Sequence, residues 1–557
     1  MPAVYLLFVV AVSALLSWPL GRYLAWAMDA RHDHGLAAAL GRACERMLGL
    51  GRPAVAASWR GYFGAMLLVN GFAFVVAFLL LCCQAWLPWN PDHRPAIGLD
   101  LAFHTAASFV TNTDQQHYAG EATMSHLSQV AALMWLQFMS AATGLAALTA
   151  LARALAGRSP GDFCRDALRA IVFVLLPLAT PLALGLAAAG VPMTLDGAVT
   201  ATTLEGATQT ISRGPVAAFL AIKQLGTNGG GFFGANSAHP FENPGFWTDT
   251  VTLVAILVLP MACVWLFGRI VGDRRHAATL FAVMLVLLLG KATFAIATEH
   301  APTVAFRGLP IAADVGNLEG KELRFGATAA PLWAVATTAT SNGSVDCMHD
   351  SLAPLTGLAP LAGMWLNATF GGVGVGMVNM VLYAVLAAFL AGMMVGRTPE
   401  YLQRRIEVRE VRCAVLALLT HALLILVGTA LFAGTDLGRS TVADRGPHGF
   451  TEILYEFSSA AANNGSGFEG LGDGTVAWNL ATGLVILLGR YLPIALPLAL
   501  AASLGKKRIT ARSAGTLGTA NPTFAIMLLS TIVFLGALTF LPAAALGPLA
   551  EHLQTGR

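Results

Sequence analysis

The chain has 557 residues, 56% of them hydrophobic and only 11% charged, with a mean hydropathy of +0.67. That composition excludes a water-soluble globular chain and makes the bilayer its solvent. A net charge of +3 without a basic stripe excludes a nucleic-acid partner, and the seven cysteines, with no CxxC pair, support neither a disulfide framework nor a zinc site.

In chain order, Val4 to Leu20 is apolar, with no positive side chain before it and Arg22 after it. This is the reverse of a cleavable signal peptide, so we expect a retained first span with its N-terminus outside. Further apolar runs near the length needed to cross a bilayer lie at 62–87, 127–151, 167–191, 250–268, 277–298, 377–396, 413–433, 476–502 and 523–547. Ten spans are predicted. Alternate connections are rich in positive charge: Arg22, Arg31, Arg42, Arg46, Arg52 and Arg60; Arg153, Arg158, Arg165 and Arg169; Arg269, Arg274 and Arg275; Arg397, Arg404, Arg405, Arg409 and Arg412; Lys506, Lys507, Arg508 and Arg512. The intervening loops carry little, with Arg94 alone in one and Arg439 and Arg445 alone in another. Positive charge marks the cytoplasmic side, so both termini are expected outside.

Each long outward loop contains a stretch too short to span, ending in a polar segment centred on asparagine. The segments are Thr111-Asn112-Thr113, Thr227-Asn228-Gly229-Gly230, Ser341-Asn342-Gly343 and Asn463-Asn464-Gly465, with Asn112, Asn228, Asn342 and Asn464 at near-equal intervals. The expected fold is all-α: four pseudo-symmetric repeats of span, pore loop and span around one pore (61–155, 165–272, 275–397 and 411–505), with one extra helix at each end (1–60 with its cytoplasmic loop, and 520–557). Irregular backbone survives at membrane depth only when it lines a watery cavity or is buried in protein. Loops of Gly, Thr, Ser and Asn can present backbone carbonyls to a dehydrating cation. The preceding stretches, such as Leu101 to Val110 and Gly214 to Leu225, would be pore helices whose negative C-terminal ends favour a cation.

Gly226-Thr227-Asn228-Gly229-Gly230-Gly231-Phe232-Phe233, followed by His239-Pro240-Phe241-Glu242-Asn243-Pro244, makes the chain resemble the KdpA family, the potassium-translocating subunits of the Kdp pump, related to the Trk, Ktr and HKT transporters. The likeness runs over essentially the whole chain. It implies a non-catalytic subunit that binds K+ at the four loops and passes it to a separate P-type ATPase subunit, with small accessory subunits, in a bacterial inner membrane. In the first loop Asp114 and Gln115 depart from the family's usual Asn and Trp, while Gln116 stays in place. The outer mouth is therefore assigned to Gln116, Asp114 and Glu242. The resemblance also makes Phe370 to Gly376, with Gly371, Gly372, Gly374 and Gly376, an intramembrane gate loop beneath the filter, and makes Arg490 an electrostatic barrier there.

Glu121, Asp346, Asp350, Glu469 and Asp473 are further acidic residues that can gather cations at the entrance. Lys291 is expected to snorkel, and His104 and His421 to be structural. Gly290-Lys291 lacks Walker spacing, so no nucleotide site is expected; Arg397 to Arg412 offers a cytoplasmic docking segment. Two other readings remain at this stage: a stand-alone Trk-like or Ktr-like channel or symporter, whose relatives usually have about eight core spans, and a membrane scaffold whose loops bind no ion.

Overall fold

A computed structural model describes residues 2–29, 58–301, 310, 315–510 and 518–555. The connection bearing Arg31, Arg42, Arg46 and Arg52, and also Arg512, lies outside the described residues.

Ten helices among the described residues are long and apolar enough to cross a membrane. They are α1 (Pro2–Met28), α2 (Trp59–Cys82), α4 (Ser128–Leu155), α5 (Phe163–Ala188), α7 (Phe246–Val271), α8 (Arg274–His300), α11 (Val375–Met394), α12 (Val408–Gly434), α14 (Val476–Gly505) and α15 (Pro522–Leu546). Four shorter helices precede the polar segments: α3 (Leu99–Val110), α6 (Val216–Leu225), α9 (Gly326–Ala339) and α13 (Pro447–Ala462). A fifth, α10 (Pro354–Leu366), leads into α11, and α16 (Pro548–Thr555) closes the chain. The protein is a mostly helical, multi-pass membrane protein built from four helix, pore-loop, helix units with an added helix at either end. Its only sheet among the described residues is two short antiparallel pairs, Val199–Thr202 with Thr208–Ile211 and Glu400–Tyr401 with Arg404–Arg405.

Composition sorts these helices by depth. Helix α11 is apolar on every side and buried on nearly every side, as is much of α4 and α7, the behaviour of helices at the centre of a bundle. By contrast α12 presents Leu416, Leu419, Leu423 and Val427 outward, which suits lipid. The ends of the early spans that carry the arginines are tied by Arg153, whose guanidinium meets Asp166 at 2.8 Å, while Tyr62 donates to the same carboxylate at 3.0 Å. Part of the expected docking segment is internal: buried Arg404 donates to the carbonyl of Leu155, and Glu410 pairs with Lys507 at 2.7 Å.

Candidate functional site: a ring of four loops

The four pore helices enter the protein, stop, and turn back through the polar segments. Each turn begins the same way: the backbone N–H of Thr113, Asn228, Asn342 and Asn464 donates to the carbonyl five residues earlier, on Ser108, Lys223, Thr337 and Ser459, at 3.0, 2.9, 2.8 and 2.9 Å. The flanking residues share a second signature, with positive φ at Asn112 and Asp114, Thr227 and Gly229, Ser341 and Gly343, and Asn463 and Gly465. These two regularities correct the sequence alignment by one residue. Thr113, not Asn112, is the first-loop counterpart of Asn228, Asn342 and Asn464, and Asp114 occupies the position of the three glycines.

The loops close into a ring. A side chain on Gly229 would fall on the carbonyl of Asn342, one on Gly343 on the carbonyl of Asn464, and one on Gly465 on the carbonyl of Thr113. At the fourth seam, a Cβ on Gly230 would lie 2.7 Å from Asp114 Cβ. At three seams backbone therefore packs on backbone beside a left-handed glycine, and at the fourth Gly230 leaves room for the Asp114 side chain.

The asparagines act as clasps between neighbours. Asn342 Nδ2 donates to Lys223 O at 3.2 Å, and Asn464 Nδ2 to Thr337 O at 3.0 Å. Each thus reaches the carbonyl that already anchors the preceding loop. Asn228 Nδ2 instead donates to Asn112 Oδ1 at 3.0 Å and Ser140 Oγ at 3.1 Å, and Asn112 Nδ2 donates to Thr227 O at 2.5 Å. The four carbonyls of Thr113, Asn228, Asn342 and Asn464 accept no hydrogen bond from any described residue. These residues are all buried, and buried carbonyls are ordinarily paired; here the carbonyl at the same position of each of the four loops has no donor among the described residues.

Of the three residues expected at the outer mouth, Asp114 and Glu242 are buried and Gln116 is half-buried. Asp114 is buried behind the ring, its Oδ2 accepting from Gln137 Nε2 at 2.6 Å. Gln116 clamps the second loop, with Nε2 donating to Gly231 O at 3.1 Å and Oε1 accepting from Gly231 N at 2.8 Å. Glu242 is buried and pairs with Lys223 Nζ at 2.5 Å. Neither carboxylate is exposed as a cation trap. A half-buried pair of carboxylates lies elsewhere: Asp350 holds His448 Nε2 at 3.0 Å, while His448 Nδ1 meets Glu551 of α16 at 2.9 Å.

Lys223 was not singled out from sequence, although a lysine inside a ten-residue apolar helix is a usable signal. Its ammonium also donates to Ser237 Oγ at 3.0 Å and to Asn236 Oδ1, and Asn236 Nδ2 in turn donates to Gly229 O at 2.9 Å. The network props the second loop from behind. His104 is buried and stacks on His117 with centroids 3.8 Å apart, and His421 Nε2 donates to the carbonyl of Met364 at 3.1 Å. Lys291 does not extend to an interface; its ammonium reaches Thr369 Oγ1 at 3.2 Å.

Beneath the ring, Asn367 to Gly374 separates α10 from α11. Gly371 N donates to Ala339 O at 2.8 Å and Val373 N to Thr227 Oγ1 at 2.9 Å, so the loop is pinned to the undersides of the third and second pore loops. Gly374 has φ +81 and its missing side chain would fall on Gly144 O. Asn367, unforeseen from sequence, accepts from Ser341 Oγ at 2.9 Å and donates to Ala462 O at 3.1 Å, joining loops three and four. A cavity of about 150 Å³ opens here, lined by the deepest residues of three pore loops (Asn112, Ser341 and Asn463) together with Asn367, Gly372, Asn379 and Arg490. Arg490 Nη2 donates to Ser140 O at 3.0 Å. No carboxylate among the described residues pairs with it. A cationic group is thus held in the chamber directly below the ring, where it is costly and unneutralised.

The family model described as "Potassium-transporting ATPase A subunit" matches residues 7–553. The chain belongs to the KdpA family. A solved structure of the potassium transporter TrkH from Vibrio parahaemolyticus is similar in fold, with a TM-score of 0.51 at 15% identity over 88% of this chain and 97% of that one. As a KdpA-family protein, the chain is a potassium-transport subunit with many membrane spans.

Proposed function

We propose that the ring of loops is a potassium-selectivity filter and that the chain takes up K+ from outside a bacterial inner membrane, with both termini on that outer side, for an ATP-driven import complex. The observation that carries this reading is the set of four equivalent, unpaired carbonyls on Thr113, Asn228, Asn342 and Asn464. Their oxygens replace the water that a potassium ion sheds, and the clasps behind them hold the spacing against collapse. The side chains of Asn228, Asn342 and Asn464 build the cage while the backbone coordinates.

Below the filter, the loop bearing Gly371, Gly372, Gly374 and Gly376 is the gate, and Arg490 the barrier that stops an ion from leaking straight through to the cytoplasm. A cation at the filter and the guanidinium beneath it repel each other, so onward movement requires the ion to leave sideways or the arginine to move. Energy for that step comes from a P-type ATPase partner with small accessory subunits; this chain binds no nucleotide and contributes selection and passage. A stand-alone Trk-like or Ktr-like transporter would use the same ring, but the added helices α1 and α15 flank the four units and give a partner complex its extra membrane contacts.

Purification of the chain with its membrane neighbours tests both halves. K+ should stimulate ATP hydrolysis by the complex, and Gly343→Ala, which places a methyl group on the carbonyl of Asn464, should abolish the preference for K+ over Na+. ATP hydrolysis indifferent to K+ would overturn the pump reading, and an unchanged ion preference in Gly343→Ala would overturn the filter.

A further inference from the structure

A cluster of ligand-type side chains flanks the first and fourth pore loops and contributes no atom to the ring of carbonyls. His117 follows the first pore loop, Glu456 lies in α13 and Asp473 follows the fourth pore loop. His117 Nε2 is 3.1 Å from Glu456 Oε1 and 3.8 Å from Asp473 Oδ2, and the three ligand atoms all lie within 4.8 Å of one another.

The protonation of the imidazole follows from its other edge. Asn479 Nδ2 donates to Asp100 Oδ2 at 2.7 Å, which fixes the amide with its oxygen toward His117 Nδ1, 2.7 Å away. Nδ1 must then carry the proton and donate to Asn479 Oδ1, leaving Nε2 as the nitrogen that faces two carboxylate oxygens. That edge needs a positive centre. A carbonyl holding the far nitrogen of a histidine, with carboxylates at the near one, is the arrangement that orients an imidazole for a metal ion.

Distances suit a first-row ion. Bonds of about 2 Å at tetrahedral angles place ligand atoms about 3.3 Å apart, and the two histidine-to-carboxylate separations bracket that value. Gln115 borders the cluster: its Nε2 donates to Glu456 Oε1 at 2.6 Å, and its buried amide oxygen lies toward His104, which stacks on His117. Asp473 remains 28% exposed at its side chain, giving an ion a route from the loop side, whereas His117 and Glu456 are enclosed.

We propose that His117, Glu456 and Asp473 form a binding site for a divalent transition-metal ion, with zinc the best match to one imidazole, two carboxylates and an open fourth position. The ion ties the first pore loop to the fourth, across the seam where Gly465 packs on Thr113. It is therefore placed to stiffen or distort the ring without entering it.

The test is metal content, which does not depend on transport. The purified protein is dialysed to equilibrium against buffered Zn2+ and its bound metal measured. The native protein should retain one equivalent that His117→Asn and Asp473→Asn each lose, and Asn479→Ala, which keeps all three ligands but frees the imidazole, should weaken it by about 10- to 100-fold. Co2+ should give the visible absorption of a low-coordinate nitrogen and oxygen site in the native protein. If His117→Asn does not fold, the cobalt spectrum and Asn479→Ala decide the matter. Failure of the native protein to hold zinc, meaning a proton alone on His117 Nε2, or retention of zinc by a folded His117→Asn, would overturn the proposal.

Discussion

The first pore loop and the other three solve one backbone problem with different residues. Gly229, Gly343 and Gly465 reach left-handed conformations with φ of +93, +92 and +106, while Asp114 does so at +53 with a full side chain. A left-handed non-glycine residue costs roughly 1–2 kcal/mol, and the hydrogen bond from Gln137 to its carboxylate returns about 1 kcal/mol or more of that. Space for the side chain comes from the neighbour, because Gly230 has no Cβ where Asp114 Cβ lies. The comparison teaches that pseudo-fourfold backbone geometry is compatible with unequal chemistry, provided each exception is matched one residue away across the seam.

The shells behind the loops differ as well, and the largest effects are expected there. The second loop rests on the buried Lys223–Glu242 pair, so Lys223→Met leaves an uncompensated carboxylate and should cost about 3–5 kcal/mol of stability. Thermal unfolding of the purified variant checks this, and Lys223→Met combined with Glu242→Leu should recover most of the loss. The seam between loops one and two comes next. Gly230→Ser drives a side chain into Asp114 and should cost about 1–3 kcal/mol, whereas Asp114→Gly, which loses one hydrogen bond and relieves one strained residue, should fall within about 1 kcal/mol of the native protein. The double variant should be more stable than the sum of the two predicts; strict additivity in a melting series would break the claim that the two positions are matched.

The smallest effect concerns the pairing of His448 with Asp350 and Glu551. Burial opposes a charge on His448, but hydrogen bonds and charge from Asp350 and Glu551 outweigh it and push its pKa up to about 10 from the usual 6.5. A histidine with a raised folded-state value contributes stability that is complete below pH 6.5 and lost as the pH rises through 10. Melting temperature should therefore fall across that window in the native protein and fall less in His448→Gln; parallel curves would show that the pairing does not set this pH dependence.

Much of this arrangement was legible in the sequence. All ten spans were, since twenty apolar residues have few alternatives, and so were the asparagine-centred segments that converge in space. The register of the first loop was not. The Thr-Asn pair shared by Thr111-Asn112 and Thr227-Asn228 invites an alignment that only the backbone hydrogen bonds from Thr113 and Asn228 correct. Nor were the roles of Asp114, Gln116 and Glu242 visible. An acidic or amide side chain near a pore loop reads the same in sequence whether it faces water or a buried partner, and of the partners Gln137, Gly231 and Lys223 only the lysine, inside an apolar helix, carries a signal of its own. Asn367 was hidden because a bridge between two loops has no periodicity.

The central claim is that four backbone carbonyls replace the hydration of potassium. It is tested most directly by locating the ion, through anomalous scattering or difference density with Rb+ or Tl+ in place of K+. The account predicts density on the axis between the carbonyls of Thr113, Asn228, Asn342 and Asn464, and its loss in Gly343→Ala. Ion density confined to the chamber beside Arg490, or to the carboxylates around His448, with the ring left empty, would contradict it.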